Sequence, residues 1–157
     1  MQGKLQMWLL PMFGDKKPRP FLPGASSAMQ ARISPDGRWV AYSSDESGSW
    51  EVYLESFPDP GFKRVVSVGG GAQPRWRGDG KELFYLAPDH MLMAVDIAKD
   101  PNARLGQPRQ LFRVNISEDI AGPRNHFDVS SDGQRFLIDG SSEPQEWHQL
   151  NVFVNWR

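Results

Sequence analysis

The chain has 157 residues, a net charge of −1 and no cysteine. This length supports one domain with a core, and the charge balance argues against a general polyanion binder, so no nucleic-acid partner is expected. Without cysteine there is no disulfide and no thiolate metal site, which leaves the compartment open between periplasm and cytoplasm.

From the N-terminus, 7–13 is the longest apolar stretch, and Pro11 interrupts it. It is too short to span a membrane and is not a normal signal peptide, so no membrane insertion is expected. Leu5–Leu10 and Arg19–Leu22 read as the third and fourth strands of a partial unit, with Gly14-Asp15 between them. Lys16-Lys17-Pro18-Arg19-Pro20 has the composition of a proline-rich ligand for an aromatic groove. An outer strand also tolerates proline, because its N–H groups face solvent, and that reading is preferred.

A full unit follows. Ala31–Ser34 is a short strand, Pro35-Asp36-Gly37 turns the chain, and Arg38–Ser43 returns. Trp50–Phe57 is a third strand and Lys63–Val68 a fourth, ending at Gly69-Gly70-Gly71. That glycine run lacks the following Gly-Lys-Ser/Thr and helix of a phosphate loop, so it reads as an inter-unit turn. The second unit runs Pro74–Arg77, the turn Gly78-Asp79-Gly80, Glu82–Leu86, Met91–Ile97 and Gln110–Val114. The third has Phe127–Ser130, the Asp132-Gly133 turn, Arg135–Ile138, a turn of helix over 143–148 and a final strand Leu150–Trp156.

Three Asp-Gly phrases thus organise the chain. Asp-Gly between strand-like runs is a strong hairpin signal, because Gly takes positive φ freely and Asp tolerates it. Pro35, Asp36, Gly37, Asp79, Gly80, Asp132 and Gly133 are therefore read as structural turns. One Asp per unit does not converge on a single ion, so no metal and no cofactor are expected. Asp36 to Asp79 spans 43 residues and Asp79 to Asp132 spans 53. The extra ten are placed in 98–108 and 116–123, polar and turn-rich segments that read as surface loops.

Val40-Ala41-Tyr42, Leu83-Phe84-Tyr85 and Phe136-Leu137-Ile138 are apolar on both faces. A strand with one wet face alternates, so these predict sheets covered on both sides. Four-stranded antiparallel meanders of about 40 residues, stacked face to face, are propeller blades. The fold predicted is an all-β propeller or partial propeller of about three and a half blades. Its divisions are a partial blade 4–24 and blades 29–71, 72–115 and 125–157.

The stretches 31–44 and 74–85 resemble the TolB-type, WD-repeat-like β-propeller repeat, whose hallmark is Ser-Pro-Asp-Gly-Arg/Lys before an apolar run. The first repeat matches in full, the second has Arg77-Gly78 for Ser-Pro, and the third has Ser131 for Pro. The resemblance covers about 5–156. More narrowly, Trp8-Leu9-Leu10-Pro11, the 69–76 link and Val152-Phe153-Val154-Asn155-Trp156 resemble the C-terminal blades of bacterial serine/threonine kinases or transcriptional regulators. The kinase motifs themselves do not occur in this chain.

No residue pattern points to catalysis. His90, His126 and His148 are widely separated, and there is no Gly-x-Ser-x-Gly elbow. Aligned on Asp-Gly, the first strands place Gln30, Gln73 and His126 at one position and Arg32, Arg75 and Asp128 two residues on. Alternation would turn both sets toward a central channel, where they are candidate partner contacts. Alternatively they pair with one another, as Arg75 with Asp128. The function expected is a non-catalytic module for protein–protein interaction or ligand sensing, part of a larger propeller protein. The alternative is the substrate-gating propeller of a prolyl-oligopeptidase-like serine peptidase. A protein or peptide partner is expected, together with self-association or further blades, because apolar blade faces would otherwise lie open.

Overall fold

A computed structural model describes residues 4–24, 26–99, 103–116 and 119–140, and within them the chain forms strands and no helix. The first pair is β1 (Trp8–Leu9) and β2 (Arg19–Pro20). A four-stranded meander follows, with β3 (Ala28–Ile33), β4 (Trp39–Ser44), β5 (Glu51–Ser56) and β6 (Lys63–Val65). A second consists of β7 (Ala72–Trp76), β8 (Glu82–Leu86), β9 (Met91–Asp96) and β10 (Arg109–Arg113). The last described pair is β11 (Phe127–Val129) and β12 (Phe136–Ile138). Every pairing is antiparallel between neighbours in sequence.

The sheets stack through three apolar layers. Phe21, Val40, Tyr42 and Tyr53 join the first pair to the first meander, with Met7 and Leu9 packed on them. Trp39, Ala41, Val52 and Leu54 meet Leu83, Tyr85 and Val95 of the second meander. Phe84, Leu86, Leu92 and Ala94 meet Phe127, with Phe136 and Ile138 packed against them. β4 and β8 thus send alternate side chains into different layers, which is why their runs are apolar throughout. Each fully buried large side chain contributes on the order of 2 kcal/mol before entropy is counted.

Three expectations need correction. Leu137 is 77% exposed, because among the described residues only one layer packs on β12 and alternation turns Leu137 away from it. The described parts of the two segments read as surface loops are built into the structure. Ile97 bridges Leu105, Ala98 N–H donates to Arg104 C=O at 2.9 Å, and Ala103 is buried between the meanders. Ile116 and Ile120 are buried in the layer around Phe84. Finally, β3 starts at Ala28 rather than Ala31. The helical turn over 143–148 and the strand Leu150–Trp156 lie outside the described residues.

Candidate functional site

The three Asp-Gly turns share one geometry. Gly37, Gly80 and Gly133 have φ of 72°, 71° and 73°, and each N–H donates to the carbonyl three residues back: Ser34, Arg77 and Ser130. The aspartates avoid positive φ and act through their side chains. Asp36 Oδ1 accepts Arg38 N–H at 3.2 Å, Asp79 Oδ1 accepts Lys81 N–H at 3.0 Å, and Asp132 Oδ1 accepts Gln134 N–H at 3.0 Å. These side-chain closures mimic a backbone turn. The hydrogen bond from Arg77 and the backbone bond from Lys81 outweigh burial and hold the Asp79 carboxyl at about 2. At Asp36 burial pushes upward, but hydrogen bonds from Ser34 and Arg38 win and its pKa is lowered. The hydrogen bond from Ser130 leads the lowering at Asp132.

Successive turns also touch. Gly78 N–H donates to Ser131 C=O at 2.8 Å, and a Cβ on Gly78 would come within 2.7 Å of that same oxygen. This close approach accounts for Gly78 in place of proline in the second repeat, since no side chain fits there and the N–H is used.

Six residues before each Asp, a chain of hydrogen bonds runs from sheet to sheet. Gln30 and Gln73 have φ of 59° and 60°, unusual for glutamine, and sit in bulges that interrupt β3 and β7. Pro74 is accommodated in the second bulge, where no ladder hydrogen bond is needed. The bulge breaks the alternation that would group Gln30 with Arg32 and Gln73 with Arg75. Gln30 Oε1 accepts Gln73 N–H at 2.9 Å, and Gln73 Oε1 accepts His126 N–H at 2.6 Å. Gln73 Nε2 donates to Ile120 C=O at 2.8 Å and lies 2.7 Å from His126 Nδ1. Both hydrogens of that amide are then engaged, which assigns Nδ1 as the acceptor. Gln30 Nε2 donates to Gly122 C=O at 2.9 Å. The turn at 119–122 therefore ties the inner strands of both meanders to the third. Gln73 and His126 are buried and Gln30 is half-buried.

Two residues on, the side chains behave differently. Arg75 lies over the Phe127 ring, 5.7 Å from its centroid, and its Nε is 3.4 Å from Asp128 Oδ1. Burial lowers the Arg75 pKa first, then the positive charge of Arg32; Asp128 opposes both. Arg32 is half-buried and Asp128 exposed, so a mixed-charge strip crosses three adjacent inner strands.

Solved structures similar to this chain share its fold. The structure is similar to TolB from Acinetobacter baumannii, with a TM-score of 0.62 and 17% identity, covering 87% of this chain and 32% of that one. It is also similar to a putative TolB from Agrobacterium tumefaciens, with a TM-score of 0.59 and 22% identity, covering 85% of this chain and 46% of that one. The fold is TolB-like. This chain spans less than half of either TolB chain. No protein-family profile matches the sequence, and no curated protein does.

The remaining candidates fall outside the strip. His90 lies in the β8–β9 turn at φ 64° and His148 lies outside the described residues. Arg19 and Pro20 form the outer strand β2, with Arg19 Nη2 3.0 Å from Asp59 Oδ1. A shallow depression of about 510 Å³ beside 97–106 is lined by Arg77, Lys81, Asp96, Lys99 and Arg104. Arg77 there is already paired with Asp79 and Glu82. Among the described residues no three His, Asp or Glu side chains gather as a metal site. The blade-to-blade role of Gln30 and Gln73 had one sequence signal, the same amide at the same offset from Asp-Gly in two repeats.

Proposed function

We infer that this chain is a non-catalytic propeller segment that binds a protein or peptide partner along its inner strands. The observation that carries the reading is the strip formed by Arg32, Arg75 and Asp128. A largely buried guanidinium is held against an aromatic ring, with a second arginine on the next sheet and an accessible carboxylate beside it. Such fixed charges suit recognition, because the protein has already ordered them before a partner arrives. In this reading Gln30, Gln73 and His126 hold the strip in register, and of the three only the half-buried Gln30 is open to a partner contact. The turn residues Pro35, Asp36, Gly37, Asp79, Gly80, Asp132 and Gly133 set the strand ends.

The coverage of less than half of either TolB chain supports a place within a larger propeller protein. The resemblance of the N-terminal strand, the 69–76 link and the terminal segment supports a parent of the bacterial kinase or regulator type. A pull-down with the full chain as bait tests the site. Arg32→Glu/Arg75→Glu should reduce capture by about tenfold or more, the scale of a charge reversal at a fixed polar contact. Capture equal to wild type removes the strip from the proposal.

A further inference from the structure

Arg32, Arg75 and Asp128 stand at one position of the repeat on three adjacent inner strands, so Arg75 has a like charge on one side and an opposite charge on the other. The two arginines share a posture. Arg32 Nη1 donates to Ala31 C=O at 2.8 Å and Arg75 Nη1 to Pro74 C=O at 3.0 Å, equivalent carbonyls of β3 and β7. Both side chains therefore fold back along their own strands in the same sense. Trp76 Nε1 donates to Arg32 C=O at 3.0 Å and holds the two strands side by side. Burial and then the charge of Arg32 lower the Arg75 pKa, so the two guanidinium groups feel each other. Among the described residues no carboxylate pairs with Arg32, and the Arg75–Asp128 contact is long at 3.4 Å.

We propose that the notch between Arg32 and Arg75 binds a carboxylate of the peptide partner, one oxygen to each guanidinium. This rests on the partner reading above and narrows it to an acidic ligand. Two like charges held together with most of their N–H groups unused are stabilised by a shared anion, and planar guanidinium donors match a carboxylate in shape as well as charge. Arg75 is already ordered against the Phe127 ring, so little side-chain freedom is lost on binding. Asp128 is then an internal competitor, which draws Arg75 toward the third sheet from a side chain that is 73% exposed. The notch lies between two sheets of this chain, so further blades on either side leave it in place.

Titration of the full chain, followed by the arginine Nε–H signals in proton–nitrogen correlation spectra, tests this. Acetylated tetra-alanine with a free C-terminus carries only a terminal carboxylate. Acetylated, amidated tetraglutamate carries only side-chain carboxylates, and the matching tetraglutamine peptide carries none. At least one carboxylate probe should shift Arg32 and Arg75 together, and which one does so identifies the source; the glutamine peptide should shift neither. Arg32→Gln should weaken that binding by about tenfold. Asp128→Asn should tighten it by about threefold, the scale of an exposed ion pair, because the competing carboxylate is gone. Both variants should keep the wild-type circular dichroism spectrum, since neither side chain belongs to an apolar layer. No shift with either carboxylate probe, an equal shift with the glutamine peptide, or weaker binding in Asp128→Asn overturns the inference. If Arg32→Glu/Arg75→Glu still loses partner capture under those outcomes, the strip serves a partner through other contacts and only the carboxylate assignment falls.

Discussion

Tyr42 shows how packing and polarity diverge at a single side chain. It lies six residues after its Asp, is 1% exposed and stacks on Tyr53 with ring centroids 5.7 Å apart. Its hydroxyl finds no hydrogen-bond partner among the described residues. Burial raises its pKa, with smaller contributions from Glu46 and Glu55, so the group stays protonated. A buried hydroxyl without a partner carries a desolvation penalty of about 1–3 kcal/mol, while the ring provides the packing. Tyr42→Phe should therefore be neutral or stabilising by up to about 1 kcal/mol in urea unfolding. A loss of more than about 1 kcal/mol would show that the hydroxyl has a partner.

At the scale of strands and turns, the sheet-to-sheet amide chain is the element to test. Gln73→Leu keeps the approximate volume but leaves His126 N–H and His126 Nδ1 without their glutamine contacts, while Ile120 C=O keeps only the 3.3 Å hydrogen bond from Gln30 Nε2. Each unsatisfied buried group costs about 1–3 kcal/mol, so a destabilisation of about 3 kcal/mol is expected. Hydrogen exchange at the His126 amide should accelerate more than exchange within β4. Uniform acceleration would mean that Gln73 acts on the fold as a whole. Apart from the repeated glutamine six residues before Asp-Gly, the sequence held no sign of this element, for a physical reason. Glutamine has no intrinsic preference for positive φ, so nothing local announces the bulge, and simple alternation assigns its side chain to the wrong direction. The Asp-Gly hairpins were legible because glycine's conformational freedom and the two-faced apolar strands are local properties. The turn at 119–122 was not, because its backbone carbonyls, rather than its side chains, reach Gln30 and Gln73.

For the whole molecule, the turns combine into an acid sensitivity. Asp36, Asp79 and Asp132 all have lowered folded-state pKa values, with Asp79 at about 2. A depressed carboxylate stabilises the fold fully above its unfolded value of about 3.9 and loses that contribution as pH falls through its folded value. Melting temperature should thus decline between about pH 4 and pH 2. Asp79→Asn should flatten that limb, by less than about 1 kcal/mol because the side chain is 43% exposed and water screens it. A limb unchanged in Asp79→Asn would place the sensitivity in other carboxylates. The stacked architecture was readable from β4 and β8, whose residues divide between layers. The exposure of Leu137 was not, since an apolar triplet does not state how many neighbours its sheet has. The amide chain has one more consequence, for growth of the molecule by duplication. Gln30 presents its oxygen to the next sheet, and Gln73 repeats the gesture, in one direction along the chain. A tandem copy of residues 30–72 would meet a matching N–H at one seam and offer a matching oxygen at the other. The array can therefore lengthen by a whole unit without redesign of these contacts, provided that the copied segment keeps the glutamine and its Asp-Gly turn together.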